Sequence, residues 1–212
     1  MTGTPVSRPA LVRRGLTLNY LTLGYNAVEA GVALAAGLVA GSVALVGFGV
    51  DSVIEVTAGG AAQWRLRADL DHARRARAER LAQRIIGAAF LALAVYVGSD
   101  SVAALRWREA PERSALGCVI LALSVLVMPV LARAKRRVAH ALDSDALRAD
   151  ATQTVLCACL SVIALAGVGL NALLGWWWAD PMAALAMVPI IAKEGVQVVG
   201  GRADCGCSPA SL

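Results

Sequence analysis

The sequence predicts an all-α integral membrane protein that crosses the bilayer six times, and three observations carry that reading. Hydrophobic residues make up 58% of the 212 residues and charged ones only 17%, with a mean hydropathy of +0.64. Charge is too scarce to solvate a globule of this size. The apolar residues fall into runs of about 20 or more, the length of helix that spans a hydrocarbon core of roughly 30 Å. Finally, the basic residues gather between alternate runs, the distribution expected when Lys and Arg are retained on one side of a membrane.

The stretch Gly15 to Val50 carries a single charge, Glu29, and is long enough for nearly two spans. Gly41 and Ser42 mark a hairpin inside it, so helix 1 is expected near Leu16 to Val39 and helix 2 near Ser42 to Trp64. A basic segment from Arg65 to Arg84 reads as the one long soluble loop. Helix 3 follows near Ile85 to Leu105 and helix 4 near Ser114 to Ala132. Helix 5 is expected near Leu147 to Leu174 and helix 6 near Pro181 to Val199, with Pro181 in a first turn where its missing N–H is harmless. Pro129 and Pro189 fall inside apolar runs and are expected to kink their helices. One membrane domain, 16–200, lies between a polar N-terminal segment, 1–15, and a Cys-containing tail, 201–212.

Orientation follows from charge. Seventeen Lys and Arg lie before helix 1, between helices 2 and 3, between helices 4 and 5, or toward the end, against Arg106, Arg108 and Arg113 on the other side. Trp176, Trp177 and Trp178 supply an aromatic anchor at the outer hairpin of helices 5 and 6. Both termini are therefore expected in the cytoplasm, with the chain in the inner or plasma membrane. The first apolar run is too long for a signal-peptide core and lacks a clear cleavage site. The net charge of +5 belongs to this topology, and no nucleic-acid-binding module is visible. Cys118, Cys157 and Cys159 lie in apolar segments and Cys205 and Cys207 in the tail, an odd number without extracellular disulfide spacing.

A carboxylate near the middle of a bilayer costs at least a few kcal/mol, so each acid inside a span calls for a partner, a cavity or a cation. Helix 2 has Asp51 and Glu55 at i, i+4 spacing, which puts both on one face about one turn apart. A divalent ion between them removes their repulsion, and carboxylate oxygens are competent ligands for Zn, Mn, Fe(II) and Co. The alternative is a protonated or water-bridged pair that only specifies helix packing. On helix 5, Asp150, Gln153, Cys157 and Ser161 recur at three- and four-residue spacing. Gln153 offers a carbonyl oxygen and Cys157 a thiolate, although a buried Cys also behaves as a small hydrophobe. Helix 1 carries Asn19, Thr22, Asn26 and Glu29 on one stripe. Glu29 either lines the same cavity or hydrogen bonds across helices. Asp100 and Asp180, near helix ends, read as structural or entrance residues.

Other signals are weaker. The Cys205-Gly-Cys207 tail lacks a His or a second Cys pair, and His72 and His140 sit in basic segments. No Gly-rich phosphate loop, nucleophile elbow or H-E-x-x-H pattern is present, so neither ATP hydrolysis nor any other enzymatic chemistry, nor a prosthetic group, is expected.

Three motifs resemble the transmembrane domain of the cation diffusion facilitator (cation efflux) family over nearly the whole chain. They are Gly41-Ser-Val-Ala-Leu-Val-Gly-Phe-Gly-Val-Asp51-Ser-Val-Ile-Glu55, Ala146-Leu-Arg-Ala-Asp150-Ala and Trp178-Ala-Asp180-Pro181-Met-Ala-Ala. The likeness is to a compact bacterial branch with a Gly-Trp-Trp-Trp-Ala-Asp-Pro run and a Cys-containing tail. It implies a six-helix cation-efflux-like bundle, homodimers, and export of a cytosolic divalent metal, Zn foremost with Co, Fe or Mn as alternatives, in exchange for protons. It also implies Asp51 and Glu55 as ligands. At the helix 5 positions where the family usually holds a His and an Asp, this chain has Gln153 and Cys157. The family's usual C-terminal cytosolic domain has no counterpart in the dozen residues after helix 6. A second reading is a non-transporting membrane protein that kept the fold and binds metal or another protein.

Overall fold

A computed structural model of the chain describes residues 8–67, 72–109, 111–142 and 145–200. Six helices make up almost all of them: α1 (Arg8–Ala40), α2 (Val43–Arg67), α3 (His72–Trp107), α4 (Ala115–Leu142), α5 (Asp145–Leu174) and α6 (Ala179–Val199). Each contains a stretch long and apolar enough to cross a membrane. Residues 1–7 of the expected N-terminal segment and the tail with Cys205 and Cys207 lie outside the described residues, and 8–15 belong to α1.

The helices run past the apolar stretches at one end of the bundle. Of the long loop expected from Arg65 to Arg84, residues 65–67 belong to α2 and 72–84 to α3, and 68–71 lie outside the described residues. Likewise α4 continues ten residues beyond Ala132, to Leu142. Hydropathy marks where lipid ends, whereas a helix of Ala, Arg and other good formers carries on into water. Both α4 and α6 continue through their prolines, Pro129 and Pro189.

At the other end the helices stop sharply, and local chemistry explains why. Gly41 and Gly175 follow the last residues of α1 and α5 with φ of 65° and 69°, the left-handed conformation that ends a helix without a Cβ clash. Ser42 N then donates to Gly37 O at 3.0 Å, and Gly175 N to Asn171 O at 3.0 Å. Arg108 does the same for α3 with φ of 55°, and Glu109 N reaches Ala104 O at 3.0 Å. Ser42 and Ser114 cap the next helices, their hydroxyls accepting from Leu45 N at 3.1 Å and Gly117 N at 3.0 Å.

This capped end is also stitched across the bundle. Glu112 N donates to Ala40 O at 2.7 Å, and Asn171 Nδ2 to Pro111 O at 2.9 Å. Asp180, expected to be structural or an entrance residue, is buried in α6. It accepts from Ser42 Oγ at 2.5 Å and from Ala44 N at 3.4 Å, so an acid of α6 holds the N-terminus of α2, where negative charge is favoured.

The most extensive packing joins α4 to α5, α3 to α6 and α1 to α2, while α2 also touches α3, α5 and α6. Small residues permit these crossings. A Cβ on Gly87 of α3 would stand 2.9 Å from Gly195 O and 2.5 Å from Val199 Cγ2 of α6, so the two backbones meet there. Apolar side chains such as Val95, Val102, Leu126 and Val130 point outward, a surface costly in water and suited to hydrocarbon. The interior, by contrast, holds an unusual share of polar groups.

Candidate functional site

The polar interior is assembled from three helices around α2. On α1 the stripe Asn19, Thr22, Asn26 and Glu29 is buried, with Asn26 and Glu29 at 0% exposure. On α2 the i, i+4 pair Asp51 and Glu55 is buried with Ser52 between them. On α5 the buried positions are Asp150, Thr154, Cys157 and Ser161, spaced by four, three and four residues. Gln153 lies at the edge of that stripe, partly buried.

Hydrogen bonds tie the three faces together. Ser52 Oγ lies 3.0 Å from Glu29 Oε2 and 3.1 Å from Phe48 O, so its single proton joins either the acid or its own helix. Cys157 Sγ approaches the same Glu29 Oε2 at 3.9 Å, which brings α1, α2 and α5 to one carboxylate. Cys157 also interacts with Glu55. Asp51 lies within electrostatic reach of Glu55, of Glu29 and of Glu194 on α6. Four of the five residues singled out from the sequence, Glu29, Asp51, Glu55 and Cys157, therefore share one region of the interior. For Gln153 the structure gives a buried amide Nε2 without a partner and no hydrogen bond to the acids.

A second polar cluster adjoins the first, and of its members the sequence singled out Asp150 and Glu55 but not Lys135 or Thr154. Lys135, counted above with the basic residues of a cytosolic loop, is buried in α4 instead. Its Nζ stands 2.8 Å from Asp150 Oδ2, with the two side chains 4% and 6% exposed. It also donates to Thr154 Oγ1 at 3.1 Å. Thr154 Oγ1 in turn lies 3.0 Å from Glu55 Oε1 and 3.1 Å from Asp150 O. The single signal that could have found this cluster is helical spacing: Asp150 and Thr154 are four apart and share a face. Nearer the same end, Asn19 Nδ2 donates to Gly59 O at 3.2 Å and to Gln63 Oε1 at 2.7 Å, joining α1 to α2.

Several polar atoms in this interior have no partner. Among the described residues they include both side-chain polar atoms of Asn26, Glu29 Oε1, Glu55 Oε2 and Gln153 Nε2. An unpaired buried polar group costs about 1 to 3 kcal/mol, and more when charged, so their concentration marks a region arranged for something other than stability. At the same time, among the described residues no three His, Cys, Asp or Glu side chains converge as a ready metal-binding group. Ser52 and Cys157 meet Glu29 at Oε2 and Thr154 meets Glu55 at Oε1, while Glu29 Oε1 and Glu55 Oε2 have no hydrogen-bond partner.

Comparison with known proteins adds to this geometry. The family model described as the cation efflux transmembrane domain matches residues 20–199. A protein of Synechocystis sp. described as an uncharacterized transporter is 29% identical over 177 residues, which are 79% of this chain and 56% of that protein. The chain thus spans little more than half the length of that relative.

Proposed function

The chain belongs to the cation efflux family, and from that premise we propose that it exports a divalent metal cation from the cytosol, in exchange for protons. Zn is the first choice, with Co, Fe and Mn next. The observation that supports this reading is the gathering of Glu29, Asp51, Glu55 and Cys157 in the interior of a multi-pass bundle, with Glu29 Oε1 and Glu55 Oε2 unpartnered. Several carboxylates in a medium of low dielectric repel strongly, and a divalent cation is the ligand that turns this repulsion into attraction. Three carboxylates and one softer sulfur suit Zn or Co better than Mg or Ca. Gln153 can add a carbonyl oxygen from the edge. The family's usual imidazole is replaced here, so the exchanged protons would be carried by the carboxylates. A homodimer in the plasma membrane, both termini in the cytoplasm and lipid covering the outward apolar side chains complete the proposal.

A second reading is favoured by one observation, that no three ligand-type side chains converge among the described residues. On that reading the chain is a membrane protein that binds metal or a partner without moving ions. Flux into proteoliposomes separates the two. The purified chain should carry Zn, and a proton gradient should alter the rate. Asp51→Asn should weaken the apparent affinity at least tenfold, about 1.4 kcal/mol, because neutral groups nearby cannot replace the lost charge. Undiminished transport by that variant would remove Asp51 from the site, and absence of flux for every metal tried would favour the second reading.

A further inference from the structure

The Lys135 cluster has a direction to it. Asp150 neutralises the ammonium at 2.8 Å, yet Lys135 also donates to Thr154, whose hydroxyl has one proton of its own to place. With one lone pair taken by Lys135, that proton goes to Glu55 Oε1 at 3.0 Å or to Asp150 O at 3.1 Å. Lys135 also lies within electrostatic reach of Glu55, and three helices, α4, α5 and α2, are joined through Lys135, Asp150, Thr154 and Glu55. Glu55 is left with Oε1 engaged and Oε2 unpartnered. The cluster lies toward the uncapped end of the bundle, away from the turns at Gly41 and Gly175.

We propose that Lys135 is a positioning residue of the cation site, which holds the Thr154 hydroxyl against Glu55 and so withholds one of its two oxygens from an arriving metal ion. This rests on the reading of Asp51, Glu55 and Glu29 as the cation site. The consequence is a deliberately weakened grip. A carboxylate with one oxygen engaged binds a metal through the other alone, which gives fewer ligand bonds to the ion. A carrier has to release its ion, and a site that chelated through both oxygens of every acid would release it slowly.

The test is Mn binding to the full chain by calorimetry, with Mn alone as the probe because it is a hard ion that cysteine thiolates of the tail hold poorly. Thr154→Val keeps the side-chain shape and removes the hydroxyl, so both Glu55 oxygens become available. Affinity for Mn should rise about tenfold, the effect of one hydrogen bond to a charged group. Thr154→Ser restores the hydroxyl and should return affinity to the wild-type value. Lys135→Gln alone strands a buried Asp150 and is liable to unfold the chain. The double variant Lys135→Met with Asp150→Asn keeps the net charge, removes the donor to Thr154 and should tighten binding as Thr154→Val does. A fall in thermal stability with unchanged or weaker Mn affinity in Thr154→Val and in the double variant would overturn the proposal while leaving the cation site standing. Failure of every form, wild type included, to bind Mn, Zn or Co would overturn the site and the proposal together.

Discussion

Lys135 sits among Arg133, Arg136 and Arg137 in the sequence and has every mark of a solvated cation, but the fold turns it inward onto Asp150. Periodicity alone cannot tell which member of a basic cluster faces the bundle, and Thr154 is marked only by its four-residue spacing from Asp150, because a threonine is at home in any membrane helix. Acids are legible for the opposite reason: Glu29, Asp51 and Glu55 interrupt apolar runs where each is costly, and all three prove to be buried. Cys157 falls between these cases, since its type suits packing as well as ligation. Its sulfur stands 3.9 Å from Glu29 Oε2, which gives a sharp expectation. Cys157→Ser should lower the ratio of Zn to Mn affinity by about tenfold, ~1.4 kcal/mol, because a hydroxyl is a harder donor than a thiolate. Titration of both metals into the two forms checks this, and an unchanged ratio would leave Cys157 as a packing residue.

Helix existence was readable from the six apolar runs, and helix ends were readable only where the chain carries turn chemistry. Gly41 and Ser42 mark the α1 to α2 hairpin in the sequence and form it in the structure. Arg108 carries no such mark, and it closes α3 in a left-handed conformation all the same. For a residue with a Cβ that conformation costs roughly 1 to 2 kcal/mol, part of which glycine would recover against its greater freedom in the unfolded chain. Arg108→Gly is therefore expected to stabilise the protein by up to about 1 kcal/mol. Thermal unfolding in detergent would show it as a raised midpoint, and a lowered one would mean that the Arg108 side chain makes contacts worth more than the backbone strain.

For the whole molecule, the pairing of α3 with α6 and the central position of α2 lie beyond what composition and charge can specify, because in lipid every helix is apolar on most sides and partner choice rests on small residues such as Gly87. Sidedness is expected from the distribution of the basic residues. Cysteine labelling from either side of the membrane should find position 75 and the C-terminal tail accessible from the cytoplasm and position 109 from outside; the reverse would invert the direction of export proposed here.

The hydrogen bonds from Glu112 to Ala40, Asn171 to Pro111 and Ser42 to Asp180 fasten the ends of α1, α2, α5 and α6 to one another and to the segment between α3 and α4. Rods clamped at one end behave like the tines of a fork, with amplitude growing along their length. The 25 residues of α2 make a lever of roughly 37 Å at 1.5 Å per residue. A swing of about 5° at the clamp would carry its far end, together with α1 to which Asn19 ties it, by about 3 Å, more than the diameter of a water molecule.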